Sequence, residues 1–351
     1  LAQLINIRSA HLFAKAAFIK VGLCEEDAML IAENMIWADM RGIDTHGLQR
    51  VSWYVKWILD GLANPSAKIR VLNQGPSFVL GDGEGGLGQV VASQFCEIVT
   101  EKALEEGLCL GLLKNSNDWG CGAWYSCRGT KKGLVGITLT TSIPMLAPWG
   151  SKARLFGNNP IACAFPRKDG HDPIVYDGAL TPVALGKVMR AKSEGKEIPK
   201  EWGFRDLDGK VTCDPGTALK GIIPAIGGYK GIGLALVTNI LAGILPGAAH
   251  SSSVEIGKRG QFFLFLNPEI VCNPDYYYHS IEELAMEVAE AASEENSLGN
   301  GEAMLPGEPE WRKMRETETL GSIVYPSSVL ESLDRVAKKL EIDEVEKGDQ
   351  A

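Results

Sequence analysis

The chain has 351 residues, of which 45% are hydrophobic and 23% are charged, and this composition excludes an intrinsically disordered protein. Its formal net charge of −9, without a long basic run, argues against a nucleic-acid partner. The longest apolar stretch, 232–246, contains glycine and asparagine and is too short to span a bilayer, so we expect no membrane association.

The chain is predicted to begin with three helices before any strand. Residues 10–20 and 25–40 show helical patterns, the second with acidic residues in its first turn, and a third helix is predicted from 46 to 59. The chain also ends in helical patterns, at 305–316 and 327–342. We therefore expect the two chain ends to pack together.

A β-α-β unit is predicted next, with strands at 77–82 and 108–116 around a helix at 88–107. Further short β-branched or apolar runs predict more strands, at 134–142, 161–166, 172–177 and 261–271. The polar, lysine-rich segment 187–211 predicts a solvent-exposed excursion.

Two helices are predicted in the second half of the chain. The largely apolar stretch 231–245 is expected to form a helix buried on most sides. Ser280 and Glu283 have the spacing of a capping box, which predicts that another helix opens there and continues through 281–295.

The eight cysteines are scattered and none forms a Cys-x-x-Cys pair, which favours reduced thiols in a cytoplasmic protein. The five histidines are not paired at ligand spacing, so no metal site is predicted. The sequence given does not begin with the pattern of a secretory signal.

A glycine-rich loop, GDGEGGLG at 81–88, matches the dinucleotide fingerprint G-x-G-x-x-G twice. An ordinary Rossmann unit also needs an acidic residue at the end of the next strand, but that strand ends in Lys-Asn-Ser. We therefore favour a glycine turn that allows close approach of backbone segments.

The segment ADMRGIDTHGLQR, 38–50, is the strongest candidate for chemistry. In a helix, His46, Arg50 and Tyr54 would lie at i, i+4 and i+8 on one face. The imidazole can carry a proton near neutral pH, the guanidinium can grip a carboxylate, and the phenol can donate a further hydrogen bond. These groups suit an acid with an adjacent oxygen.

The same segment has a structural alternative, in which His46 only caps the helix and Arg50 pairs with Asp39 or Asp44 on the surface. Asp44 could orient the imidazole or serve only as an N-cap. Elsewhere, glycines around Lys230 at a helix start could attract a diphosphate or only permit close packing, and Trp149 could stack on a planar ring or belong to the core.

Eight motifs in order along the chain resemble the malate/L-lactate dehydrogenase family of nicotinamide-dependent oxidoreductases, which also includes ureidoglycolate, sulfolactate and diketogulonate enzymes. They are RGIDTHGLQR (41–50), GLGQ (86–89), NSN (115–117), PWG (148–150), GNNPIA (157–162), VYD (175–177), GGYKGIGLAL (227–236) and LPGEPE (305–310). The resemblance implies an α/β fold with a non-Rossmann nucleotide-binding sheet and a helical domain built from both termini.

The resemblance also implies three domains and a homodimer. On this chain they are a helical domain (1–76 and 300–351), a nucleotide-binding α/β domain (77–128 and 222–299) and a third, sheet-containing domain (129–221). By the same resemblance, His46 is the general acid/base, Arg50 holds the substrate carboxylate, and Asp118 is expected near the substrate. Tyr54, from its spacing, and Trp149, from its ring, are further candidates for substrate binding. The implied cofactor-binding residues are Tyr176, Asp177, Gly178, Ala179, Leu180, Thr181, Tyr229, Lys230, Gly307 and Glu308.

Two positions depart from the family pattern. Asp118 stands where many relatives have a histidine, and an aspartate would repel a substrate carboxylate unless it is paired or protonated. The run DGAL at 177–180 replaces a methionine-alanine-threonine-like run, which weakens the inference of cofactor contacts there.

The sequence therefore predicts an oxidoreductase that uses NAD, with NADP as the alternative, on a small 2-hydroxy/2-keto acid. Malate/oxaloacetate is the first expectation and lactate-like acids come next. The alternatives are a reductase of another keto acid or of a cyclic imine, and a non-catalytic protein that binds nicotinamide nucleotides.

Overall fold

The structure is a computed structural model that describes residues 2–168, 170–291 and 303–347. The helices are α1 (Ile7–Lys20), α2 (Glu25–Met40), α3 (Val51–Leu59), α4 (Gly88–Glu106), α5 (Ala123–Thr130), α6 (Leu185–Ser193), α7 (Pro215–Lys220), α8 (Tyr229–Thr238), α9 (Pro274–Ala291), α10 (Glu308–Leu320) and α11 (Ser327–Leu340). The strands are β1 (Gln3–Asn6), β2 (Arg70–Gly75), β3 (Phe78–Asp82), β4 (Leu108–Ser116), β5 (Val135–Thr140), β6 (Ile161–Phe165), β7 (Ile174–Gly178), β8 (Arg259–Leu266) and β9 (Ser322–Tyr325).

A seven-stranded sheet forms the centre of the molecule, in the order β2-β3-β4-β8-β5-β6-β7. Strands β3 and β4 are parallel and are connected by α4, so the predicted β-α-β unit is confirmed. The other neighbours in this sheet are antiparallel. Aromatic side chains of α4 and β8, including Phe95, Phe263 and Phe265, fill the core on one side of the sheet. The α/β class predicted from the sequence is confirmed.

Strands β5, β6 and β7 continue this sheet. The sequence predicts that they belong to a third domain, but β5 pairs with β8 and so joins them to the strands assigned to the nucleotide-binding domain. The division into three domains remains a prediction. The segment 187–211 is more than a solvent-exposed excursion, because Val188, Ile198 and Phe204 lie in a core with Leu146.

The two chain ends form one unit. Strand β1 pairs antiparallel with β9, so that Gln3 lies opposite Tyr325. Helices α1, α2, α3 and α11 share one hydrophobic core. The expectation that helices precede any strand was wrong, because β1 is stabilised by a partner more than 300 residues away and local patterning carries no such signal.

Two predictions about later helices were also wrong. Helix α8 is not buried on most sides, since Leu236 and Val237 are each 47% exposed and Ile244, in the following π-helical turn Asn239–Ile244, is 52% exposed. Helix α9 begins at Pro274 rather than at the expected capping box, and the Asn273 side chain accepts hydrogen bonds from its first turn. The end of that predicted helix, 292–295, lies outside the described residues. Within the described parts of the chain, no helix is both long and apolar enough to cross a membrane.

Candidate active site

His46 lies in a tight turn rather than in the regular helix that the sequence predicted. Residues Asp44–His46 and Leu48–Arg50 form two short 3-10 helices, and α3 begins only at Val51. The imidazole is partly exposed, and its Nδ1 lies 3.0 Å from the Thr45 hydroxyl. Thr45, and not Asp44, is therefore the residue that orients the ring.

A buried carboxylate, Asp39, holds this turn in place. Its Oδ2 accepts a hydrogen bond of 2.7 Å from the backbone N–H of Leu48 and one of 2.6 Å from the Tyr325 hydroxyl. A Cβ atom at Gly47 would lie 1.7 Å from Asp39 Oδ1, so only glycine fits beside the carboxylate. Asp39 is 5% exposed and does not pair with Arg50, contrary to the surface alternative.

Burial raises the pKa of Asp39 to about 7, and the Asp44 carboxylate acts in the same direction. The hydrogen bonds from Leu48 and Tyr325 oppose this effect but do not cancel it. The C-terminal strand β9 thus reaches the His46 turn through a group that titrates near neutral pH.

His46 is a neutral imidazole at physiological pH. Desolvation and, next, the positive charge of Arg50 lower its pKa to about 4, whereas the Asp118 carboxylate acts in the opposite direction. A neutral ring can accept a proton from a hydroxyl group, so the arrangement is suited to a general base.

Arg50 is placed beside the imidazole with most of its donors uncommitted. Its Nε donates to the Thr45 carbonyl at 2.7 Å, and its guanidinium carbon lies 4.6 Å from the centre of the Trp53 ring. Within the described parts of the chain, no acceptor is paired with Nη1 or Nη2. Those two nitrogens form the planar fork that binds a carboxylate.

Tyr54 and Asp118 form part of a chain of polar contacts that ends at Arg259. The Tyr54 hydroxyl donates to Asp118 Oδ1 at 2.8 Å, and Gly120 N donates to the same oxygen at 3.1 Å. Asp118 Oδ2 accepts from Arg259 Nη1 at 2.8 Å, and the two side chains are only 15% and 8% exposed. The proton of the Tyr54 hydroxyl is therefore committed to Asp118, and the role of Tyr54 in substrate binding remains a prediction.

Asp118 is a carboxylate in spite of its burial. Desolvation raises its pKa, but the guanidinium groups of Arg259 and then Arg50 outweigh that effect and hold the pKa well below its usual range. The same burial raises the pKa of Tyr54, which stays a neutral phenol. The sequence predicts that an aspartate at this position must be paired or protonated to avoid repelling a substrate carboxylate. Arg259 provides that pairing.

The glycine-rich loop at 81–88 is held by the NSN motif. The Asn115 amide donates to both oxygens of Asp82 at 3.1 and 3.0 Å, and the Asn117 amide donates to Gly85 O at 3.1 Å. A Cβ atom at Gly88 would lie 2.4 Å from the Asp118 carbonyl oxygen. The glycines thus allow close backbone packing, as predicted, and they help to place Asp118.

Two of the predicted cofactor segments meet where β7 ends and α10 begins. Val175 N donates to Pro306 O at 2.9 Å. Gly307 has φ +88°, and a Cβ atom there would lie 2.7 Å from Val175 O, so glycine is required. Glu308 accepts from Leu305 N at 3.1 Å and binds Arg312 at 2.7 Å, so its carboxylate serves the helix start.

The side chains of 176–181 have different environments. Tyr176 is 42% exposed, and its ring covers Gly178, where a Cβ atom would lie 2.5 Å from the hydroxyl. The Asp177 carboxylate accepts from Ala123 N at 2.8 Å, at the start of α5. Ala179 is half-buried, and the buried Leu180 and Thr181 make internal contacts, at 2.7 Å from Leu180 N to Asn158 O and 2.9 Å from Thr181 Oγ1 to Val183 O.

A third group of predicted residues lies at the start of α8. Trp149 is 71% exposed and Tyr229 is 62% exposed, and their rings pack edge to face with centres 6.2 Å apart. Gly228 has φ +64°, and a Cβ atom there would lie 3.0 Å from the Trp149 ring. Trp149 is therefore a surface residue and not part of the core. Lys230 is also exposed and has no ion pair in the described chain.

Sequence reasoning missed Asp39 as a support and Arg259 as a member of the site. Arg259 is the first residue of β8, and 141 positions separate it from Asp118. In the sequence, Arg259 was marked only by its position just before a predicted apolar strand. Asp39 had a clearer signal, because it lies in the predicted segment and precedes the required Gly47 by eight residues.

Comparison with known proteins places this fold and site in a family. A family model described as malate/L-lactate dehydrogenase matches residues 5–334. Malate dehydrogenase of Pyrococcus horikoshii is 33% identical over 344 residues, 94% of each chain. A solved structure of malate dehydrogenase from Pyrococcus horikoshii OT3 superposes with a TM-score of 0.88 at 30% identity, over 98% of this chain and 97% of that one.

Two further relatives carry the cofactor in their names. A (2R)-3-sulfolactate dehydrogenase (NADP(+)) of Chromohalobacter salexigens is 35% identical over 248 residues, 71% of this chain and 74% of its own. A ureidoglycolate dehydrogenase (NAD(+)) of Escherichia coli O157:H7 is 28% identical over 329 residues, 90% of this chain and 91% of its own.

The fold and these matches define an NAD(P)-dependent dehydrogenase that acts on CH–OH groups. More particularly, the chain belongs to the malate/L-lactate dehydrogenase family, as its motifs indicated. The predicted fold and family are therefore confirmed.

Proposed function

We propose that this enzyme transfers hydride between a nicotinamide dinucleotide and carbon 2 of a small 2-hydroxy/2-keto acid, with His46 as the proton carrier. The observation that carries the proposal is a neutral, partly exposed imidazole close to a guanidinium fork that has no partner in the described chain. A proton acceptor next to a carboxylate anchor is the pair of groups that a 2-hydroxy acid requires.

In the oxidative direction, His46 accepts the proton of the substrate hydroxyl. Its Nδ1 lies against Thr45, so Nε2 is the nitrogen available to the substrate oxygen. The lowered pKa keeps the ring unprotonated and ready to act as a base. In the reductive direction, protonated His46 donates to the keto oxygen, and the substrate carboxylate favours that protonated state.

Arg50 binds the substrate carboxylate through Nη1 and Nη2 while Nε holds the Thr45 carbonyl. Thr45 thus contacts both functional side chains, which fixes the distance between proton carrier and anchor. Tyr54 acts indirectly, by positioning Asp118.

Exposed residues would hold a nicotinamide dinucleotide, which would accept the hydride in oxidation and supply it in reduction. The rings of Trp149 and Tyr229 offer apolar faces at the start of α8, beside the exposed ammonium of Lys230, which has no ion pair among the described residues. A helix N-terminus with a nearby cation favours a diphosphate. Gly178 and Gly307 have no side chains, so backbone atoms are accessible to a ligand where β7 ends and α10 begins. We propose NAD as the cofactor, with NADP as the alternative.

Substitution of the imidazole tests the proposal. His46→Ala is expected to lower kcat by about 10²- to 10⁴-fold with 2-keto acids, because placed general acid/base groups typically contribute that much. NADH affinity, measured by fluorescence titration, should stay close to that of the unchanged enzyme. His279→Ala, at an exposed histidine on α9, is the matched control. Undiminished kcat in His46→Ala contradicts the assignment.

Malate/oxaloacetate, the pair expected first from the sequence, belongs to this class of substrates, and the name of the Pyrococcus relative supports it. Lactate-like acids fit the same proton carrier and the same carboxylate anchor. Malate carries a second carboxylate and lactate does not, so the charges of the other side chains in the site decide which of the two acids binds better.

We also propose a cytoplasmic homodimer. The exposed apolar side chains of α8 and the turn after it support an interface, because soluble monomers rarely leave such a surface uncovered. They are Leu234, Leu236, Val237, Ile240, Ile244 and Leu245. Leu236→Glu is expected to shift the molar mass in light scattering from dimer to monomer. A monomer before substitution contradicts this assembly.

A further inference from the structure

Five side chains, those of His46, Arg50, Tyr54, Asp118 and Arg259, form a cluster with two guanidinium groups and one carboxylate. The charged groups of this cluster act on one another. Arg50 and Arg259 both lower the pKa of Asp118, and Arg50 also lowers the pKa of His46. His46 and Tyr54 are neutral. The five side chains therefore have a net charge of +1.

The negative charge of Asp118 is committed to Arg259. The ion pair measures 2.8 Å, and both side chains are largely buried, so the solvent screens it little. Tyr54 and Gly120 donate to the other carboxylate oxygen, which fixes the rotamer of Asp118. Arg259 is thus neutralised within the protein, and Arg50 is the uncompensated cation of this cluster.

Such a site matches a substrate with one negative charge. The carboxylate next to the reacting carbon neutralises Arg50 and brings the charge of the cluster to zero. A second anionic group at the far end of the substrate would find Arg259 already paired with Asp118 and would give the cluster a net charge of −1. An anion without a counter-charge binds poorly in a partly desolvated site, because it loses its hydration and gains no ion pair.

We infer that Asp118 is a specificity-determining residue that selects 2-keto and 2-hydroxy monocarboxylates with an uncharged tail and rejects those with a second anionic group. This inference rests on the proposed function and narrows its substrate class. It differs from the first expectation from sequence, which was the dicarboxylate pair malate/oxaloacetate.

Two substrates that differ only in the charge of the tail test the inference. Oxaloacetate ends in a carboxylate, and 2-oxosuccinamate ends in a carboxamide of nearly the same shape. NADH and NADPH oxidation by the full-length enzyme is measured with each substrate, freshly dissolved. We expect kcat/KM to be at least about tenfold higher for 2-oxosuccinamate, because the tail carboxylate of oxaloacetate finds no free counter-charge in the cluster.

The variant Asp118→Asn retains an acceptor for Tyr54 and leaves Arg259 without its counter-charge. It should lower the preference for 2-oxosuccinamate by at least about tenfold, mainly through a lower KM for oxaloacetate. Asp208→Asn makes the same change of charge at an exposed position far along the chain and should leave the preference unchanged.

The outcomes separate the two proposals. Turnover with equal or greater preference for oxaloacetate overturns the inference and leaves the proposed function intact, and so does a preference that Asp118→Asn does not alter. If Asp118→Asn does not fold, the preference of the unchanged enzyme decides alone. Absence of turnover with either keto acid, together with NADH binding, overturns the proposed function and the inference with it.

Discussion

Removal of the Asp39 carboxylate should loosen the turn that carries His46. Asp39 joins α2, the backbone of Leu48 and the Tyr325 hydroxyl of β9, through bonds of 2.7 and 2.6 Å. In Asp39→Ala, both donors lose their acceptor. Leu48 is 0% exposed and Tyr325 is 3% exposed, so water does not readily replace the carboxylate.

Each buried donor left without an acceptor costs about 1–3 kcal/mol, so the two together should lower the free energy of unfolding by about 2–6 kcal/mol. The loss depends on pH in a definite direction. The pKa of Asp39 is raised in the folded protein to about 7, so the stabilisation by its protonated form is fully present below the unfolded pKa of 3.8 and is lost as the pH rises through 7. Asp39→Ala should therefore be more destabilising at pH 5 than at pH 8.

Urea denaturation at those two pH values measures the loss, and steady-state kinetics measures its effect on the site. A shift of the reacting groups by about 1 Å costs on the order of 10²-fold in rate, so kcat should fall together with stability. Tyr325→Phe is the matched control, because it removes one donor, costs about 1 kcal/mol and leaves the bond to Leu48. Unchanged stability and kcat in Asp39→Ala would show that the carboxylate does not hold the turn.

Three further predictions concern His46, Gly307 and Lys230. The pKa of His46 is about 4 in the folded protein, below the ordinary histidine value of 6.5. The unfolded chain therefore binds more protons between these values, and the free energy of unfolding should fall less from pH 6.5 to 4 in His46→Gln than in the unchanged protein. Gly307→Ala introduces a Cβ atom 2.7 Å from Val175 O at φ +88° and should cost about 1–3 kcal/mol in urea denaturation; no loss would contradict the close contact. Lys230→Gln should weaken NADH binding about tenfold in fluorescence titrations at low salt, with kcat at saturation retained, whereas unchanged affinity would remove Lys230 from the cofactor site.

Local patterns in the sequence predicted the parts of the fold that depend on neighbouring residues. The β-α-β unit of β3, α4 and β4 follows from alternating apolar residues and a helix closed by Gly107, which has φ +82°. Likewise, His46 and Arg50 could be singled out from one short segment by their residue types and spacing, and both contact Thr45 in the structure. The helix expected from residue 46 begins only at Val51, after two 3-10 turns, and ends at Leu59 as predicted.

Contacts between distant segments could not be predicted. The pairing of β1 with β9 and that of Asp118 with Arg259 join residues 322 and 141 positions apart in the sequence, for example Gln3 with Tyr325. The exposure of α8 was missed for a related reason. An apolar helix has the same sequence pattern whether it packs in a core or at an interface between proteins, because water is excluded in both places.

Asp39 and Asp118 show why the number of nearby cations, more than burial, decides the state of a carboxylate. Burial raises the pKa of both, and each accepts a hydrogen bond from a tyrosine hydroxyl and one from a backbone N–H. Asp118 also faces two guanidinium groups, and its pKa falls well below the usual range. Asp39 has no cation among the causes of its shift, and its pKa rises to about 7. Any change in activity near pH 7 that originates in these two carboxylates should therefore disappear in Asp39→Asn, whereas the charge that selects the substrate tail stays constant across that range.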